Sequence, residues 1–100
     1  MTLLEDRLAA LAAARETLTY GDLARDLGLR MADLTAQLES LMEEDAAAGK
    51  PFRAALLRQR LSPDHLPAPG FFQKAADLGR AGIDILAERQ ALHLCANTPG

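Results

Sequence analysis

The sequence predicts a mainly α fold: a core of three helices, then a short strand or hairpin, then one or two further helices packed back over it. Three observations carry this. Apolar residues recur at helical spacing through most of the first 50 positions, helix start and stop signals punctuate that pattern, and the period shifts from helical to strand-like after Pro51. With 100 residues, 49% of them apolar and 25% charged, the chain has the composition of one ordinary globular domain. A single domain over residues 1–96 and a flexible tail over 97–100 are expected.

Leu3, Leu4, Leu8, Leu11 and Ala12 fall on one helical face with Glu5, Asp6, Arg7 and Arg15 around them, so residues 2–15 read as an amphipathic helix. A second start follows at Thr19-Tyr20-Gly21-Asp22, where the threonine hydroxyl can accept from a backbone amide and the carboxylate three positions on can reach back. Leu23, Ala24 and Leu27 give this short helix its buried face, and Gly28 ends it. Near Met31 the period resumes through Leu34, Leu38, Leu41 and Met42 and stops at Gly49-Lys50-Pro51. Glu43, Glu44 and Asp45 oppose the dipole at its C-terminal end, which assigns them to solubility or a partner.

Phe52, Ala54 and Leu56 then alternate with Arg53, Ala55 and Leu57, a strand-like pattern that Arg58-Gln59-Arg60 continues outward. Three prolines between Ser62 and Gly70 make a loop, which either closes a hairpin or wanders. Helical spacing returns at Phe71, Phe72, Ala75, Ala76 and Leu78. A last helix runs from Ile83 to about Leu94 with Ile83, Leu86, Ala87 and Leu94 on one side. The expected core is Leu4, Leu8, Leu11, Leu23, Leu27, Leu34, Leu38, Leu41, Phe52, Leu56 and Phe72.

The net charge is −3 and the isoelectric point is near 5.2, which argues against generic attraction to phosphate. The average hides a segregation. Residues 1–49 carry four Arg against ten Asp and Glu, whereas residues 50–80 carry six Lys and Arg against two Asp. Such a distribution can place a basic face on an acidic chain. One cysteine, Cys95, cannot form an internal disulfide, and the N-terminus has neither a basic nor an apolar leader region, so a cytoplasmic protein is expected.

The order helix, helix, helix, strand over residues 3–61, with a Leu-Gly-Leu turn at 27–29, resembles a winged-helix domain built on a helix-turn-helix. Thr19-Tyr20-Gly21-Asp22-Leu23-Ala24, Pro51-Phe52-Arg53 and Pro69-Gly70-Phe71-Phe72 together resemble the DNA-binding domain of alkylguanine alkyltransferases and alkyltransferase-like proteins. That resemblance implies the scaffold only. Positions 51–54 hold neither cysteine nor histidine, so neither the alkyl-accepting thiol nor the histidine that activates it carries over.

On this scaffold Arg30, Thr35 and Gln37 are the recognition-helix residues expected to reach duplex DNA, while Arg53, Arg58, Arg60 and Lys74 are expected on phosphates. Asp33 and Glu39 oppose that contact, and a solvated edge strand explains the basic residues equally well. Phe71 and Phe72 are the candidate partner-binding residues of the competing expectation, a protein-interaction module or homodimer that also uses the last helix. Adjacent helical residues point about 100° apart, so at least one of the pair faces the core only partly, and core anchoring is favoured over a recognition patch. Tyr20 stands where its hydroxyl would meet a phosphate or simply stay wet. His93 and Cys95, two positions apart on a helix, cannot chelate together. No Gly-x-Gly-x-x-Gly, Walker-type, Ser-centred elbow or His-Glu-x-x-His pattern occurs, so no catalysis, no metal and no cofactor are expected, and no membrane partner.

Overall fold

The computed structural model describes residues 3–62 and 64–97. It is mainly helical, with five α-helices and one small parallel β pair among the described residues. Helix α1 spans Leu3–Ala14, followed by β1 at Leu18–Thr19, α2 at Tyr20–Leu27 and α3 at Met31–Ala47. A 3-10 turn at Arg53–Leu56 leads into β2 at Leu57–Arg58, and α4 at Pro69–Asp77 and α5 at Ile85–Asn97 complete the chain. No helix among the described residues is long and apolar enough to cross a membrane.

The local signals act as their chemistry requires. Thr19 caps α2, its hydroxyl accepting from the Asp22 amide at 3.2 Å, while the Asp22 carboxylate lies 3.5 Å from Arg25. Gly28 ends α2 at φ 66°, in the left-handed region that costs a side-chain-bearing residue about 1–2 kcal/mol. Pro69 stands in the first turn of α4, where its missing amide is not needed.

The segment after Pro51 departs from the alternation. Residues 53–56 coil into a 3-10 turn and only Leu57 and Arg58 extend. The reason is burial on both sides: Phe52, Ala54, Ala55, Leu56 and Leu57 are all enclosed, so neither of the two alternating sets faces water. The strand is parallel to β1, with Leu18 opposite Leu57 and Thr19 opposite Arg58, and α2, α3 and the 3-10 turn supply the crossover such a pair needs. The segment beyond β2 returns on itself through the Gln59 amide, which donates to the Leu66 carbonyl at 2.9 Å.

Leu4, Leu8, Leu11, Leu23, Leu34, Leu38, Leu41, Phe52 and Leu56 are buried as expected, whereas Leu27 and Phe72 are only partly covered. Phe71 takes the core place assigned to Phe72 and meets the Phe52 ring edge-on at 5.9 Å. The inward face of α5 is also different. Ile85 and Leu92 point into the core while Leu86 and Leu94 stand outside, because Arg89 between them must reach backbone carbonyls of the buried segment. Helix α5 includes Asn97, assigned above to the tail, and the remaining tail positions 98–100 lie outside the described residues.

Two substitutions test the α2 boundaries. Thr19→Ala removes the cap and Gly28→Ala forces a Cβ into the left-handed region; each should lower urea unfolding stability by about 1 kcal/mol with an unchanged m-value.

Candidate interaction surface

The residues expected at phosphates separate into two groups. Arg53 is enclosed by carboxylates: its guanidinium lies 3.0 Å from Asp45, 3.5 Å from Glu5 and 3.6 Å from Glu44. Its backbone amide also donates to Asp45 at 3.0 Å. Asp45 is 3% exposed, so the acidic run at the end of α3 contains one interior anion rather than three solvated ones. Burial alone would lower the Arg53 pKa, but the hydrogen bonds and charge of Asp45, with Glu5 and Glu44 behind it, reverse this and raise it. Lys74 is likewise engaged, 2.8 Å from Glu43, and that hydrogen bond is the main cause of its raised pKa.

Arg58 is half-buried on β2 and Arg60 is exposed beyond it, while Arg30 is exposed at the N-cap of α3. Among the described residues, these three and Lys50 have no carboxylate within 4 Å, whereas Arg7 and Arg25 pair with Asp26 and Asp22. Arg80 lies 4.4 Å over the Phe52 ring and donates to the Lys50 carbonyl at 2.7 Å. Thr35 and Gln37 are exposed on α3 beside Asp33 and Glu39, which are exposed too. Of the six basic residues in 50–80, Arg53, Lys74 and Arg80 are thus engaged by other groups of the fold.

A groove of about 160 Å³ lies along α3. Met31, Thr35, Leu38 and Met42, spaced at helical intervals, form one wall with Glu39. Tyr20, Ala54, Ala68, Gly70 and Phe71 close the other. The Tyr20 hydroxyl accepts from the Ala68 amide at 2.9 Å, tying the start of α2 to the cap of α4. Burial raises its pKa, against that hydrogen bond and the nearby charge of Arg89. This is a structural use of a hydroxyl that the sequence offered to a phosphate. Phe72 does not line the groove; it meets Phe71 edge-on at 5.4 Å and lines a separate depression with Leu66, Pro67 and Gln73.

Sequence reasoning missed Asp45, Met31 and Met42, and Arg89, which donates to the carbonyls of Ala55, Leu57 and His65. Only the helical spacing of Met31, Leu38 and Met42 was available as a signal for the groove. Among the described residues no three His, Cys, Asp or Glu side chains are grouped to hold a metal ion.

Asp45→Ala leaves the Arg53 amide without its acceptor while Glu5 and Glu44 stay beside the guanidinium, and it should cost about 1–3 kcal/mol in urea unfolding. Lys74→Gln, at a surface pair, should leave the midpoint unchanged. No protein-family model, no curated protein and no solved structure matches the chain.

Proposed function

We propose that the chain is a non-enzymatic binding module of winged-helix type whose partner is a protein, docked in the α3 groove as a cationic amphipathic helix. The observation that carries this reading is the groove's composition: Met31, 49% exposed, at its rim, the almost wholly buried Leu38, Met42, Ala54 and Phe71 as its floor, and Glu39 at its edge. Apolar side chains at helical spacing suit such a groove, and methionine adapts to more than one shape. The exposed face of α3 adds Asp33, while Glu43 and Glu44 are already paired with Lys74 and Arg53, so Asp33 and Glu39 are the charges beside the groove that favour a basic segment over phosphate.

A second reading, weak backbone contact with duplex DNA, is favoured by Arg30, Arg58 and Arg60, which have no carboxylate within 4 Å among the described residues. One titration separates the two. The protein is added at low salt to a labelled Leu/Lys helical peptide of about 18 residues and to a labelled random-sequence duplex, with anisotropy as the readout. Saturable peptide binding, weakened about tenfold by Glu39→Lys and by Thr35→Arg, is expected, with no duplex binding at tens of micromolar. Peptide binding indifferent to both substitutions removes the groove reading. Saturable duplex binding whose log affinity falls linearly with log salt, and which Arg58→Glu abolishes, establishes the second.

A further inference from the structure

A cavity of about 350 Å³ lies between the end of α1, the 3-10 turn and α5, and it shares no residue with the α3 groove. Ala12, Leu56 and Leu94 give it an apolar side, and Arg15, Arg89, Gln90, His93 and Thr17 a polar one. Its volume is at the lower end of small-ligand pockets.

The polar side is ordered by a chain of hydrogen bonds. His93 Nδ1 lies 3.1 Å from the Ala12 carbonyl, and its Nε2 accepts from Arg15 Nε. With Nε used, the Arg15 guanidinium keeps its two terminal nitrogens, the edge that meets a carboxylate in two parallel hydrogen bonds. Arg89, one helical turn before His93, spends Nε and one terminal nitrogen on carbonyls and retains the other. Among the described residues that line the cavity, Glu16 is the one carboxylate.

The backbone at Arg15 adds an independent observation. Helices α2, α3 and α4 each end on a glycine with positive φ, Gly28, Gly49 and Gly79. Helix α1 ends in the same pattern, the Glu16 amide donating to the Leu11 carbonyl at 3.0 Å, but its left-handed position is Arg15 at φ 60°. The chain carries backbone strain there and places a guanidinium at the mouth of a cavity, the association of strain with binding function seen at ligand clamps.

We propose that this cavity binds a small carboxylate with a short branched apolar tail, its carboxylate on the Arg15 and Arg89 guanidinium groups and its tail against Leu56 and Leu94. Free acids and the C-terminal leucine of a peptide share this chemistry.

The test is an amide chemical-shift titration of the full chain with sodium isovalerate. Saturable shifts at Arg15, Gln90 and His93 with a dissociation constant on the order of 1 mM are expected. Arg15→Gly should lose at least about tenfold in affinity while its melting temperature stays level or rises, because glycine relieves the left-handed strain. Leu94→Glu, at an exposed position, should abolish binding without unfolding the chain. An N-acetylated Gly-Gly-Leu peptide that binds more tightly than isovalerate, and loses binding on C-terminal amidation, assigns the source to a chain terminus; weaker binding assigns it to a free acid. No saturable shift at about 20 mM isovalerate overturns the proposal. So does equal binding of isoamyl alcohol, binding of inorganic phosphate in place of isovalerate, or unchanged affinity in Arg15→Gly.

Discussion

The fold depends on one interior anion. Asp45 sits in the last turn of α3, where the helix dipole disfavours a carboxylate, and it is almost wholly buried. Such a group is tolerable only when its charge and its lone pairs are met, and Arg53 meets both through its guanidinium and its backbone amide. The consequence is positional. Meeting Asp45 draws the chain after Pro51 back along α3, and Glu5 of α1 joins the same guanidinium, so three segments converge on one ion cluster. Phe52, the residue before Arg53, is thereby fixed in the core, with its amide on Glu88 at 2.8 Å, Phe71 at its edge and Arg80 over its face.

The same constraint explains which elements the sequence reveals. Helices α1, α2 and α3 are each stabilised by an apolar stripe and local end signals, and both are properties of neighbouring residues. The segment 52–58 is organised by distant side chains instead: Asp45, Glu88 and Arg89 hold its amides and carbonyls. A buried backbone whose polar groups are satisfied by side chains needs no partner strand along its length, so its residue alternation does not report a sheet. For α5 the ambiguity is in phase. Ile83, Ile85, Leu86, Leu92 and Leu94 offer apolar residues on more than one side, and the need of Arg89 for the Ala55 and Leu57 carbonyls decides which side turns inward.

The candidate surfaces were less legible, for an electrostatic reason. Segregation of charge along the chain suggested a basic face, yet an acidic first half and a basic middle are also what complementary internal pairing requires. Arg53 with Glu5, Glu44 and Asp45, and Lys74 with Glu43, are pairs of this kind, each joining the basic middle to the acidic first half. Phe71 and Phe72 show the same limit in packing. Their sequence neighbourhood is shared, and only the position of Phe52 determines that Phe71 is the one enclosed.

The 3-10 turn at Arg53–Leu56 links the two proposed sites. Ala54 contributes to the α3 groove and Leu56 to the cavity beside α5, with the fully buried Ala55 between them. The turn is therefore a thin common wall, rigid because Asp45 holds one end and Arg89 the other. Tyr20 reinforces it from the groove side, through Ala68 and through its proximity to Arg89. A close-packed wall transmits displacement rather than absorbing it. Residues that line only one site, such as Thr35 and Glu39 or Arg15 and Leu94, report on that site alone, whereas a change in the turn or in Asp45 acts on both together.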